Sequence, residues 1–231
     1  ADLRVKLKTH RRVQGDVTLA ASDSRESGKL VIEALKISKS YGGPILVNEF
    51  STRIQRGDRI GIVGENGAGK TTLIKMLVGE LKPDSGHVRH GVNLDIAVLD
   101  QKKDALDPEE SVSHFLTEGR GDNLVINGEE RHVVSVMKDF LFQPEQARTP
   151  IKSLSGGEKA RLMLARILSK PANLLILDEP TNDLDMETLD LLQELVSGFP
   201  GTVILISHDR DFPDRTVTST IAPEGQGKWL E

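Results

Sequence analysis

Cysteine is absent from the 231-residue sequence. Its absence excludes disulfide bonds, thiolate metal sites and cysteine nucleophiles, and it suits a reducing compartment such as the cytosol. The longest apolar runs, residues 174–177 and 203–206, are far shorter than the about 20 residues that a membrane-spanning helix needs. No positively charged and then apolar leader opens the sequence. We therefore expect a cytoplasmic chain with no contact to a membrane.

The sequence also has little excess charge. Its net charge of −5 does not favour binding to nucleic acid by charge alone. The first twelve residues differ, because five cations stand there against the single acid Asp2: Arg4, Lys6, Lys8, Arg11 and Arg12. Two interpretations stay open: a solvated tail, which charge alone favours, or the end of a basic linker that touches RNA or DNA. Either way, we expect residues 1–28 to be a basic and polar linker.

Apolar segments that alternate with helical patterns predict an α/β fold over residues 29–231, and the length allows one large domain or two small ones. Strands are expected near residues 30–37, 45–54, 59–63, 87–89, 94–99, 174–178 and 202–207. Helices are expected at 71–79, 155–169 and 186–198. The runs at 174–178 and 202–207 are continuously apolar, as in parallel strands that are covered on both faces. Their order with the helix between them predicts a doubly wound sheet.

The middle of the chain is predicted to be more helical. Asp107 as N-cap, followed by Pro108 and two acids in the first turn, indicates a helix start. Further on, apolar residues recur at helical spacing, which predicts a buried face: Val133, Val136, Met137, Phe140 and Leu141. The pair His87 and His90 has a spacing seen in metal sites, but no third ligand accompanies it, so we expect no metal there.

A glycine-rich segment follows the strand at 59–63 and opens the helix at 71–79, the context that a phosphate-binding loop requires. Its glycines let successive backbone N–H groups turn inward around a phosphate. Lys70 supplies a point charge for the β- and γ-phosphate oxygens, and the Thr71 hydroxyl is a ligand for Mg²⁺. The predicted nucleotide-binding residues in this loop are Gly64, Glu65, Asn66, Gly67, Ala68, Gly69, Lys70, Thr71 and Thr72. The loop alone leaves GTPases, kinases and many ATPases open.

Two carboxylates end the apolar strand at 174–178. Asp178 is expected at the carboxyl edge of the sheet, beside the phosphate-binding loop, where it would hold Mg²⁺ through water. Glu179 is the candidate general base, or the group that orients the attacking water. A plain surface pair before the turn at Pro180 is the alternative, and the buried strand and the loop at 64–71 argue against it.

Ser155, Gly156 and Gly157 form a second anion-binding turn, at the start of the helix at 155–169. Taken with the loop at 64–71 and the two carboxylates, this turn resembles part of the nucleotide-binding domain of ABC ATPases. The resemblance implies a P-loop fold with a mixed sheet, an antiparallel β subdomain and a helical signature subdomain at about 102–168. It also implies that residues 155–158, hereafter the signature turn, close on the γ-phosphate held by the opposite half of a head-to-tail dimer.

The same resemblance implies roles for four further residues. Gln101 is similar to the glutamine that senses Mg²⁺ and the attacking water, and His208 to the switch histidine that contacts the γ-phosphate. Tyr41 is similar to the aromatic residue that stacks on adenine, and Asp185 to the aspartate of the dimer interface. Without the other motifs, Gln101 would be read as a solvated loop glutamine and His208 as a structural histidine, and a core residue is the alternative for Tyr41.

The residues in and after the signature turn indicate one branch of the family. Glu158 and the pair Asn182-Asp183 resemble ABC-F proteins, whereas transporter subunits usually have glutamine after the signature glycines. The runs 142–147 and 207–212 are most similar to the Uup-type members. This resemblance implies a cytoplasmic ATPase that uses ATP and Mg²⁺, works with ribosomes or their assembly, and has been linked to branched DNA. The chain would be the second nucleotide-binding domain, paired with a first one in the same polypeptide.

Two alternative functions stay open, and one residue departs from the pattern of the family. A transporter ATPase would need a membrane subunit docked near Gln101, and a binding module without turnover would not need the carboxylate of Glu179. Pro213 stands where relatives usually have leucine, so a helix after His208 would start late or break.

Overall fold

A computed structural model describes residues 28–100, 106–126, 129–181, 184–209 and 216–231. Its strands are β1 (Leu30–Ser40), β2 (Ile45–Gln55), β3 (Arg59–Val63), β4 (Ser85–His90), β5 (Ile96–Asp100), β6 (Asn123–Ile126), β7 (Glu129–His132), β8 (Leu174–Asp178), β9 (Thr202–Ser207), β10 (Ser219–Gly225) and β11 (Lys228–Leu230). Its α-helices are α1 (Lys70–Leu77), α2 (Val112–Thr117), α3 (Val133–Asp139), α4 (Gly156–Leu168) and α5 (Met186–Gly198). Short 3₁₀ helices cover Pro144–Arg148 and Ile151–Ser153.

A mixed six-stranded sheet in the order β11-β10-β3-β9-β8-β5 forms the centre of the fold. All its pairings are parallel except that of β10 with β11. Along β8, Leu174 and Ile176 belong to one hydrophobic cluster, and Leu175 and Leu177 to the other. The prediction that this apolar strand is covered on both faces is therefore confirmed, and the sheet places the carboxyl ends of β3, β8 and β9 side by side.

A second sheet, antiparallel and in the order β2-β1-β4, packs on the α1 side of the central sheet. Strands β1 and β2 are joined by a short connection at residues 41–44. The strand predicted at 87–89 is longer in the structure, and the one predicted at 94–99 begins at Ile96. On β4, His90 has a structural partner, because its Nε2 lies 2.7 Å from the Leu77 carbonyl oxygen.

The helix predicted to start at Asp107 starts later. The Asp107 carboxylate accepts the Glu109 N–H (3.0 Å), and its carbonyl oxygen accepts the Glu110 N–H (3.2 Å), which closes a turn. The carbonyl of Glu110 then accepts the Ile151 N–H instead of a helical donor. Helix α2 begins at Val112, capped by the Ser111 hydroxyl, which accepts the His114 N–H. Tertiary pairing with the segment around Ile151 thus overrides a local pattern of good helix-starting residues.

The buried face predicted after residue 132 is confirmed except at Leu141, which is only partly buried. Helix α3 buries Val133, Val136 and Met137, and Phe140 is buried just beyond its end. Together with α2 and α4 these residues form the hydrophobic cluster on the face of the central sheet opposite α1. The signature turn lies at the start of α4 and so is held against this cluster.

Candidate functional site

The glycine-rich loop links β3 to α1 beside the end of β9. The Gly64 N–H donates to the Ser207 carbonyl oxygen (3.3 Å), which ties the start of the loop to β9. Gly67 and Gly69 have φ of 85° and 102°, a left-handed conformation that residues with a Cβ rarely adopt. A Cβ on Gly69 would also press on Leu46, at 3.3 Å. The glycines at these positions are therefore required by the shape of the loop.

Lys70 lies inside the loop and not in solvent. Its side chain is 8% exposed, and its Nζ donates to the carbonyl oxygens of Gly64 (2.6 Å) and Glu65 (3.2 Å). The same Nζ is 3.5 Å from Glu179 Oε1. The ammonium group thus lies between the loop and the carboxylate that follows β8. This is the position required of a group that neutralises phosphate charge at the carboxyl edge of the sheet.

Glu179 is held by its neighbours on both sides. Its Oε2 accepts hydrogen bonds from the His208 N–H (3.3 Å) and from His208 Nδ1 (2.6 Å). Its Oε1 is buried and has no hydrogen-bond partner among the described residues. The backbone has φ of 51°, and the Glu179 N–H bonds to the Ile206 carbonyl oxygen (2.9 Å). A strained backbone and an unsatisfied carboxylate oxygen at one residue are typical of functional positions.

Thr71 and Asp178 line the same small cavity of about 40 Å³, between α1 and β8. A hydroxyl and a carboxylate are the hard oxygen ligands that Mg²⁺ prefers, and Mg²⁺ usually takes only one or two such protein groups beside water and phosphate oxygens. Among the described residues there is no group of three or more His, Cys, Asp or Glu that could hold a metal by itself. The donor set therefore fits a magnesium ion that is bound together with phosphates.

The signature turn is fixed by reciprocal hydrogen bonds. The Ser155 hydroxyl oxygen accepts the Glu158 N–H (3.2 Å), and Glu158 Oε2 accepts the Ser155 N–H (2.8 Å), which makes a capping box at the start of α4. The bond from the Ser155 N–H lowers the pKa of Glu158, as do, more weakly, Gln146 and Arg161. The carboxylate is therefore ionised at neutral pH, as a capping box requires.

Asp185 packs directly against the signature turn. Its Oδ1 caps α5 by accepting the Thr188 N–H (2.8 Å), and the bonds to Thr188 lower the pKa of its carboxyl group. A Cβ on Gly157 would collide with Asp185 Oδ2. The buried Arg161 joins the two segments, since its NH1 donates to the Thr188 hydroxyl (2.9 Å) and lies 3.5 Å from Asp185 Oδ2. Sequence reasoning did not single out Arg161; an arginine on the buried face of α4 was the available signal.

Tyr41 is not a core residue. It is 63% exposed at the turn between β1 and β2, and the Lys39 Nζ lies 5.6 Å from the centre of its ring. Next along the chain, residues 44–46 line an open cavity of about 720 Å³ together with the glycine-rich loop, His208 and the turn between β10 and β11. Trp229 of that hairpin donates from Nε1 to the Leu46 carbonyl oxygen (2.9 Å). Sequence reasoning missed this hairpin, because it is short and its role depends on pairing with distant strands.

Several predicted residues lie outside the described residues. These are Gln101, the pair Asn182-Asp183, Pro213 and the basic segment at 1–12, together with most of the expected linker at 1–28. The structure brings together Lys70, Glu179 and His208 as one cluster, with Thr71 and Asp178 beside it. It groups Ser155, Gly157, Glu158 and Asp185 as a second cluster.

A family model described as "ABC transporter" matches residues 47–182, which include the glycine-rich loop, the signature turn and Glu179. The chain belongs to the ABC family. A solved structure, a putative metal-chelate type ABC transporter in an inward-facing conformation, has the same fold, with a TM-score of 0.69. That likeness covers 88% of this chain and 82% of the other, at 21% sequence identity. The predicted fold, an ABC-type nucleotide-binding domain, is therefore confirmed.

The branch predicted from Glu158 and Asn182-Asp183 also agrees with the relatives. The chain is 52% identical to the "ATP-binding protein Uup" of Caulobacter vibrioides, over 95% of this chain and 36% of that protein. It is 41% identical to the "Energy-dependent translational throttle protein EttA" of Haemophilus influenzae, over 87% of this chain and 36% of that protein. The chain is thus a Uup-like ATP-binding domain and spans about a third of the length of these relatives. Within the described residues, no helix has the length and apolar character to cross a membrane.

Proposed function

We propose that the chain binds ATP with Mg²⁺ and hydrolyses it to ADP and phosphate, at a site that a second ABC domain of the same polypeptide completes. The observation that carries this proposal is the Glu179 carboxylate. One of its oxygens is fixed by His208, while the other is buried, 3.5 Å from Lys70 Nζ and without a hydrogen bond. A buried acceptor beside a phosphate-binding lysine suits a group that orients and deprotonates water.

Each residue of the first cluster has one task in this proposal. Backbone N–H groups of residues 64–71 and the Lys70 ammonium bind the phosphates, with Thr72 beside them at the start of α1. Thr71 and Asp178, with Gln101, would hold Mg²⁺, which neutralises charge on the phosphate oxygens when it is bound. Glu179 accepts the proton of the attacking water, and His208 keeps its carboxylate in place. Tyr41 stacks on adenine at the mouth of the site.

The second cluster serves the nucleotide of the partner domain. The contacts of Lys70 are with Gly64, Glu65 and Glu179, whereas the side chain of Ser155 bonds to Glu158. The two anion-binding turns of this chain are thus built into separate polar networks. We assign Asp185, which packs against Gly157, to the interface between the two domains.

Hydrolysis in this scheme is tested by ATP turnover of the purified chain with Mg²⁺. We expect slow turnover that rises with protein concentration, because charge-stabilising groups supplied by a partner are worth roughly 10³–10⁵-fold in other P-loop enzymes. Fast turnover per site that does not depend on concentration would contradict a shared site.

For the whole protein we propose a cytoplasmic role on ribosomes or in ribosome assembly, by similarity to ABC-F relatives, with RNA or DNA contacts from the basic residues at 1–12. The test is co-sedimentation of the full-length Glu179→Gln protein with ribosomes, with and without ATP. We expect ATP-dependent binding. Equal recovery in the pellet with and without ATP, or none at all, would contradict this role, while ATP turnover in the first test would still stand.

A further inference from the structure

Gln146 is a polar residue outside both clusters that reaches into the signature turn. It lies in the 3₁₀ helix Pro144–Arg148, twelve positions before Glu158. Its Nε2 donates to Glu158 Oε1 (2.7 Å), and its Oε1 accepts the Gln143 N–H (2.8 Å). The amide group is therefore fixed at both ends, with its donor side facing the carboxylate.

Both oxygens of Glu158 are consequently engaged. Oε1 accepts from Gln146 and Oε2 accepts from the Ser155 N–H (2.8 Å). A carboxylate that is bonded at one oxygen only can still pivot about that oxygen, whereas one bonded at both oxygens cannot pivot without losing a bond. Gln146 thus fixes the group that in turn fixes the first backbone N–H of the signature turn.

This arrangement determines which donors the turn has left for a phosphate. The Ser155 N–H is used by Glu158, and the Ser155 hydroxyl oxygen accepts the Glu158 N–H (3.2 Å), which leaves the hydroxyl hydrogen free to donate. The remaining donors are the hydroxyl of Ser155 and the N–H groups at the start of α4. Their directions depend on the capping box, and hence on the position of the Glu158 carboxylate.

We propose that Gln146 is a positioning residue for ATP hydrolysis, which holds the Glu158 carboxylate so that the signature turn presents the Ser155 hydroxyl to the phosphate in the partner domain. The inference rests on the proposed function, because it requires the signature turn to act on a nucleotide. Gln146 itself does not touch the nucleotide. Its loss changes the geometry of a donor that matters in the transition state, where small misplacements are costly.

The sharpest test is Gln146→Glu in the purified chain, at a concentration where the unmodified chain hydrolyses ATP, assayed for turnover from pH 8 to pH 6. At pH 8 two carboxylates would face each other at the place of a 2.7 Å hydrogen bond, so they repel. We expect kcat to fall roughly tenfold, with little change in KM for ATP, because this domain's own ATP is held by Lys70. On acidification the pair takes up one proton, and a protonated Glu at 146 has a donor and an acceptor like the amide it replaces.

The ratio of mutant to wild-type kcat should therefore rise towards one as the pH falls from 8 to 6. Gln146→Ala, which cannot regain the donor, should show a loss of similar size at every pH. Gln193→Glu makes the same chemical change in the middle of α5 and should leave kcat within about twofold at each pH. Thermal unfolding of each variant at each pH separates a misplaced turn from an unfolded domain.

Two outcomes separate this inference from the function on which it rests. If Ser155→Ala lowers kcat but Gln146→Glu has normal turnover, or a loss that acidification does not relieve, the role of Gln146 is refuted. If Ser155→Ala itself has normal turnover, the shared site of the proposed function fails. The inference is supported if, among the variants, only Gln146→Glu regains turnover at low pH.

Discussion

The cluster around Glu179 and the signature turn differ in how their polar groups are satisfied. In the first, residues from three different segments meet, and Glu179 Oε1 is left buried without a hydrogen bond. In the second, Ser155 and Glu158 bond to each other at the start of α4, and Gln146 of the preceding 3₁₀ helix bonds to Glu158. The first has the features of a reactive site, and the second those of a rigid binding surface.

The difference has a consequence for what each region tolerates. A buried carboxylate oxygen without a hydrogen bond costs stability, of the order of 1–3 kcal/mol, which a fold keeps where the group has a task. A capping box contributes stability whether or not a phosphate is near. Mutations in the first region should therefore act mainly on chemistry, and mutations in the second on chemistry and on stability together.

The largest effect is expected for Glu179→Gln. The amide cannot take a proton from water, so ATP turnover of the purified chain, whose paired copies carry the change in both sites, should fall roughly 10²–10⁴-fold, while ATP binding is retained. Glu187→Gln is the matched control, since Glu187 is exposed in the first turn of α5. The measurement is steady-state turnover with nucleotide binding in parallel. If turnover of Glu179→Gln stays within tenfold of the wild type, Glu179 is not the general base.

Ser155→Ala should have the next largest effect on turnover. It removes the hydroxyl donor that we propose for the partner's phosphate, which would be worth roughly 10²-fold, and a helix cap worth about 1 kcal/mol. Ser111→Ala is the matched control, because Ser111 caps α2 in the same way, by accepting the His114 N–H (3.3 Å). Turnover and urea unfolding are measured for both variants. Equal losses of turnover would mean that Ser155 acts through stability alone.

Asp185→Ala should have the smallest effect of the three, and this effect should be on the stability of the fold. It removes the cap of α5, so the free energy of unfolding should fall by about 1 kcal/mol at pH 7. The folded-state pKa of Asp185 lies below its ordinary value because of Thr188. The stabilisation is thus fully present above about pH 4, the usual range of an aspartate, and is lost as the pH falls through the lower folded-state pKa. Urea unfolding of the wild type and of Asp185→Ala at pH 7 and at pH 3 checks this. A larger difference between their free energies of unfolding at pH 3 than at pH 7 would contradict it.

Contiguous patterns made much of this architecture predictable from the sequence. The bounds of β8, α5 and β9 follow from apolar runs and end signals that lie within a few residues, and the loop at 64–71 has its context on either side. The start of α2 was mispredicted, because the backbone of Glu110 pairs with Ile151 across forty-one positions. The bond between Gln146 and Glu158 and the contacts of Arg161 could not be predicted for the same reason, since they depend on how separate segments pack.

The shared site is tested most directly by mixing two inactive forms of the chain, Glu179→Gln and Ser155→Ala, at a concentration where the unmodified chain hydrolyses ATP. A mixed pair joins the intact Glu179 of one chain to the intact Ser155 of the other, and so restores one site. Half of randomly formed pairs are mixed, and each has one working site of two, so we predict about a quarter of the wild-type rate. A mixture that only averages the rates of the two separate variants would contradict a site built from two domains.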